Sequence, residues 1–184
     1  MSRIYAVVMF VCVLFSGAGT RAEDVTFPQG TFTLQASAGY AKGLEARQES
    51  LPSASVGVNY FVWDNFSLGV ELEGLRAIQD RDDAWAGELG FMLHHHLIRF
   101  DRYSIFADFN FGPVWSNEQV PADGTQFNFI TRVGAGATAR LTNDMHLMLG
   151  VRYFHLSNAR IEGVERNPNI NGVEGYVGLV WLLN

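Results

Sequence analysis

From residue 30 onward, apolar and polar side chains alternate with a period of two, the signature of strands that show different surroundings on their two faces. The clearest run sets Phe66, Leu68, Val70 and Leu72 against Ser67, Gly69, Glu71 and Glu73. A following run sets Trp85, Leu89, Phe91, Leu93 and Leu97 against Glu88, His94 and His96. Further on, Tyr103, Ile105, Phe109 and Phe111 oppose Ser104, Asp108 and Asn110, with Phe106 out of pattern; then Phe127, Phe129, Val133, Ala135 and Ala137 oppose Asn128, Arg132, Thr138 and Arg140. Two earlier runs, around Phe32–Tyr40 and Val56–Val62, behave alike, and Met145, Leu147, Leu149, Val151 and Tyr153 define one face of a late one. Eight such segments, each about 10 to 14 residues, reach the C-terminus.

The links between them alternate in length. Asp64-Asn65, the stretch around Phe100-Asp101-Arg102, and Thr142-Asn143-Asp144 are rich in turn formers. Longer polar links lie near 43–52, 77–83, 117–125 and 158–171. Short turns at one end, long loops at the other and an even number of strands predict an all-β fold: an eight-stranded antiparallel up-and-down transmembrane β-barrel with both termini on the short-turn side. The polar face agrees, because it carries Glu71, Glu73, Glu88 and Asp108 in earlier strands and Arg132, Arg140 and Arg152 in later ones. A barrel this narrow is filled by side chains, where such charges can pair across the interior, and it leaves no pore for transport. Tyr40, Trp63, Trp85, Tyr103, Trp115, Tyr153 and Trp181 fall near strand ends and suit two interfacial girdles.

Composition sharpens the picture. Residues 1–22 combine Arg3, an apolar run from Ile4 to Phe15 and a small-residue stretch ending at Ala22, which predicts a secretory signal cleaved before Glu23 and a barrel domain over 23–184. Cleavage would remove Cys12, the single cysteine, so the barrel would have no disulfide. It would also remove Arg3 and Arg21, taking the formal charge from −6 to −8, a balance that argues against a nucleic-acid partner.

Candidate chemistry gathers in the seventh segment, where the apolar parity of Met145 to Tyr153 runs on directly into His155 and Ser157. A hydroxyl and an imidazole two residues apart on one face of a strand are positioned to interact, and polar groups at a membrane boundary need partners. Serine is a weak nucleophile until a base within hydrogen-bond reach takes its proton, which His155 can do. A third group must orient the imidazole. Glu162, Glu165 and Glu174 are the nearby carboxylates, and spacing does not choose among them.

Tyr153-Phe154-His155-Leu156-Ser157-Asn158-Ala159, followed by Asn167-Pro168-Asn169 and Gly172-Val173-Glu174, resembles the lipid A 3-O-deacylases of the PagL type. The resemblance implies an outer-membrane barrel that hydrolyses an acyl ester of lipid A at the outer leaflet, with Ser157 as nucleophile, His155 as base and Glu174 as the acid that orients it. It also implies an oxyanion site, for which Asn169 and the backbone N–H of Arg160 are the matching donors, with Asn158 fixing the loop. Asn171 competes with Asn169 for that register, because the segment before Pro168 is longer than the family's. Arg160 stands where the family has glycine. Strand parity sets Glu174 opposite Val173, Val177, Leu179 and Trp181, so it must either belong to the loop or follow a bulge. No cofactor and no metal are implied; lipopolysaccharide in the outer membrane is the expected partner, and a homodimer is compatible.

Other features have plainer readings. Alternation sends His95 of His94-His95-His96 to the opposite face from its neighbours, which does not suit a shared metal. The alternatives to a deacylase are a non-catalytic anchor or adhesion barrel and a phospholipase on the same scaffold.

Overall fold

The computed structural model of the chain describes residues 27–45 and 49–183; the expected signal segment lies outside the described residues. Eight strands close into one barrel in sequence order: β1 (Phe32–Gly43), β2 (Ser50–Trp63), β3 (Phe66–Ala77), β4 (Ala84–Arg99), β5 (Tyr103–Val120), β6 (Thr125–Arg140), β7 (Met145–Ser157) and β8 (Ile170–Leu183). Every neighbouring pair is antiparallel, and β1 closes on β8. Closure leaves no unpaired sheet edge, which a bilayer would penalise because lipid offers no hydrogen bonds. No helix among the described residues is long and apolar enough to cross a membrane, so any crossing is by strands.

Alternation decides which side chain looks where. Leu34, Val56, Val58, Val70, Leu72, Leu89, Phe91, Phe111, Leu149, Val151 and Val177 are exposed on the outer wall, an arrangement suited to lipid and costly in water. Trp63, Tyr103 and Trp181 ring the short-turn end, while Tyr40, Trp85, Trp115 and Tyr153 lie toward the loop end. Phe106 follows parity after all: it points inward and is buried among aromatic rings.

The interior is layered. At the short-turn end Phe27 enters the barrel mouth, stacks on Phe61 with ring centroids 4.9 Å apart, and touches His96 and His146. Its backbone is held by Asn65 at both the N–H and the carbonyl. The middle layer is charged. Arg132 pairs with Glu73, with Glu88 at 2.6 Å and with Glu174 at 3.1 Å; Arg152 pairs with Asp108 at 2.7 Å. Glu71 has neutral donors instead, Gln35, Ser55 and Asn110. Buried charges persist only with such compensation. Arg140, expected inside as a third cation, sits at the strand end and reaches Asp101 of the neighbouring turn, 3.0 Å away, with much of its side chain exposed. At the loop end Leu51, Leu75, Val114, Ile130, Phe154, Leu156 and Ile170 form an apolar layer, so the interior is not polar throughout.

The loop ends also differ from expectation in one place. The link near 117–125 is mostly strand: β5 runs to Val120 and β6 begins at Thr125, leaving a four-residue turn. The longest described connection is 158–169, between β7 and β8, with a short 3-10 turn at Val164–Arg166.

Candidate active site

His155 and Ser157 both project outward from the last turn of the pleat in β7, as parity requires. The imidazole Nε2 lies 3.0 Å from Ser157 Oγ, within hydrogen-bond reach. Ser157 is nearly buried and His155 half-buried, so the pair is shielded from bulk solvent without being sealed. Across the β6–β7 ladder Ser157 faces Phe129, and Thr131 faces His155. Phe129 stacks on Phe111 at 5.8 Å and meets Phe127 edge-on at 5.1 Å; Phe127 in turn lies 5.4 Å from Trp115. An aromatic strip on the outer wall therefore leads away from the serine.

The other side of the pair belongs to β8. Across the β7–β8 ladder His155 is opposite Asn171, Leu156 opposite Ile170 and Arg152 opposite Glu174. His155 Nδ1 is 2.8 Å from Asn171 Oδ1, which also accepts from the Tyr153 hydroxyl at 2.8 Å. Asn171 Nδ2 donates to Glu45 Oε1 at 2.7 Å and to Asn169 Oδ1 at 2.8 Å.

Glu174 is elsewhere. The expectation that it orients His155 is corrected by the register: β8 begins at Ile170 and pairs with β7 without a bulge, so Glu174 keeps inward parity with Tyr176 and Gly178. Its carboxylate is buried in the charged middle layer beside Arg132, with Arg152 Nη1 at 3.9 Å. A one-residue difference in register reverses which face a side chain takes.

The β7–β8 loop supplies the remaining residues. Asn158 is buried and ties the loop together, donating from Nδ2 to the Arg166 carbonyl and accepting at Oδ1 from the Arg160 N–H at 2.9 Å. That backbone N–H, expected to face an oxyanion, is thus directed to Asn158. Ala159 (φ 52°) and Arg160 (φ 66°) occupy the centre of a turn closed by Ile161 N–H donating to the Asn158 carbonyl. Two adjacent non-glycine residues at positive φ match the handedness of a type I′ turn, at a cost of about 1–2 kcal/mol each. Asn169 Oδ1 is engaged by Asn171, which leaves Nδ2 as the donating end of the Asn169 amide.

Above the aromatic strip a cleft of about 680 Å³ opens between three loops. Trp115 and Phe127 form its lower edge, Arg81 and Arg166 supply its cations, and Asp82, Glu118 and Glu162 its acids, with Arg166 paired to Glu162 at 2.8 Å. Among the described residues no group of three or more His, Cys, Asp or Glu side chains could hold a metal; His94 and His96 face the lumen and His95 the outside.

Glu45 and Tyr153 complete the polar chain without having been predicted as site residues. Tyr153 carries a signal in hindsight, since it shares outward parity with His155 and Ser157. Glu45 carries none, being more than a hundred residues away in sequence.

Comparison with known proteins agrees with this architecture. The family model described as lipid A 3-O-deacylase (PagL) matches residues 23–180. The chain belongs to the lipid A 3-O-deacylase (PagL) family of barrels. No curated protein matches it. Among solved structures it is similar to Neisserial surface protein A (NspA), with TM-score 0.66 and 15% identity, covering 83% of this chain and 99% of that one. It is also similar to the outer membrane enzyme PagL, with TM-score 0.53 and 17% identity over 80% of this chain and 99% of that one. The outer membrane protein OprG from Pseudomonas aeruginosa gives TM-score 0.55 and 8% identity over 88% and 100% of the two chains. At these identities the solved structures speak for the shared barrel alone.

Proposed function

We propose that this chain is an outer-membrane serine esterase that hydrolyses the 3-O-linked acyl ester of lipid A. The observation that carries this reading is the 3.0 Å contact between His155 Nε2 and Ser157 Oγ on the outward wall at the loop end of the barrel. Family membership supplies the substrate class. In outer-membrane barrels the long loops face outward, so the pair would meet the outer leaflet at headgroup depth.

Ser157 Oγ attacks the ester carbonyl carbon as its proton passes to His155 Nε2. The developing oxyanion is held by the Asn169 Nδ2, for which a backbone N–H of the same loop is the natural companion. The bond to the glucosamine oxygen then breaks, and the imidazolium returns its proton to that oxygen, leaving the acyl chain on Ser157. A water molecule, deprotonated by His155, attacks the acyl-enzyme; the fatty acid leaves and Ser157 regains its proton. The aromatic strip of Phe111, Phe129 and Phe127 suits the acyl chain. All these residues come from one chain, so the reaction does not require a homodimer.

The test is mass spectrometry of lipid A from cells expressing the protein or its Ser157→Ala variant, both verified as folded in the outer membrane. Loss of one hydroxyacyl chain with the wild-type protein, and not with the variant, is expected. Unchanged lipid A with the folded wild-type protein overturns the proposal, and shortened phospholipids in its place would redirect it to phospholipase activity.

A further inference from the structure

The third member of the site is not settled by a carboxylate on β8, because Glu174 lies inside the barrel. The polar groups around Asn171 determine what replaces it. Asn171 has four neighbours within hydrogen-bond distance: Glu45 Oε1 and Asn169 Oδ1 on one side, the Tyr153 hydroxyl and His155 Nδ1 on the other. A carboxylate oxygen and an amide oxygen can only accept, so the side facing them must be the Asn171 NH₂. The amide is thereby oriented by its partners, and its oxygen faces His155. An amide oxygen can only accept too, so His155 Nδ1 must carry a hydrogen. In the neutral ring Nε2 is then unprotonated and free to accept from Ser157.

We infer that Asn171 and Glu45 are the positioning residues of this site, a hydrogen-bonded chain Ser157–His155–Asn171–Glu45 that takes the place of a carboxylate bonded directly to the histidine. This inference rests on the proposed esterase reading. Asn171 fixes the tautomer and ring orientation through its oxygen. Glu45, carrying negative charge at the far end of the amide, polarises it so that the oxygen better accepts from the imidazolium formed when Ser157 is deprotonated. Hydrogen-bonded amides transmit polarisation of this kind along a chain. Histidine with an amide as its third member is a workable arrangement, as in the Cys-His-Asn sites of papain-like proteases. The arrangement joins three remote segments: β7, the start of β8 and the loop after β1.

The experiment uses the full chain refolded in detergent micelles, with lipopolysaccharide bearing the 3-O-acyl group as substrate. Asn171→Ala is expected to lower kcat by about 100-fold or more with KM changed by less than about 3-fold, and Glu45→Gln to lower kcat by about 10-fold. The exchanged pair Asn171→Asp with Glu45→Gln, which returns a carboxylate to the histidine and an amide behind it, is expected to recover most of the loss. Nitrogen-15 NMR of labelled histidine should show His155 as the Nδ1–H tautomer in the wild type and as a mixture in Asn171→Ala. Turnover within about 3-fold of wild type in both single variants, while Ser157→Ala is inactive, overturns the positioning role and leaves the esterase reading standing. If the wild type itself hydrolyses no lipid A, the esterase reading fails, and the tautomer still decides the inference: an Nε2–H ring in the wild type overturns it.

Discussion

The carboxylate of Glu174 lies 3.1 Å from the Arg132 guanidinium inside the barrel, three positions along β8 from the residue that meets His155 on the outer wall. Its contribution should therefore be to stability. Glu174→Gln removes one of three carboxylates around Arg132 and keeps the side-chain volume. The expected loss is about 1–3 kcal/mol of folding stability, the range for taking a partner from a buried charged group, with kcat within about 3-fold of wild type. Unfolding followed by circular dichroism in detergent, together with turnover, checks both halves. A variant that folds normally and loses hydrolysis would restore Glu174 to the site.

Asn169 gives a second expectation. Its amide oxygen is taken by Asn171, so Nδ2 is the end of the amide left to donate, and the proposed reaction assigns it to the oxyanion. Removing a donor of this kind costs about 100- to 1,000-fold in kcat with little change in KM, because the bond matters most in the transition state. Steady-state kinetics of Asn169→Ala and Asn169→Asp measure it. Wild-type kcat in both variants would assign the donor to another group of the loop.

Arg160 offers a third, through its backbone. Its φ of 66° belongs to the left-handed region, where glycine is at ease and a β-branched residue is a genuine outlier. Arg160→Gly should leave stability within about 1 kcal/mol of wild type and preserve turnover. Arg160→Val should open the turn held by Asn158, lower kcat and expose the loop to protease. Limited proteolysis of the two variants side by side is the measurement; equal cleavage rates would mean that the turn is not limiting.

Much of this protein is legible in its alternation. A period of two assigns each residue to the wall or the lumen, and it put Ser157 and His155 on one face because they lie two apart on a single strand. It also placed Arg132, Glu73 and Glu88 inside, where they pair. Depth is less legible: Arg140 has lumenal parity yet sits at a strand end, free to turn toward Asp101. Parity says which side a residue faces, not how far along the barrel it lies.

The barrel, its strand order and the hydroxyl–imidazole pair are thus legible from local periodicity and short turns. The histidine's partner is set by long-range register. The register of β8 against β7 is set across a twelve-residue loop, and it brings Asn171 rather than Glu174 to His155. Closure of the barrel between β1 and β8 then carries Glu45 to Asn171 across 126 positions of sequence. Neither contact follows from periodicity, because a shift of one residue in the ladder exchanges the two faces of a strand and a loop contact has no period at all.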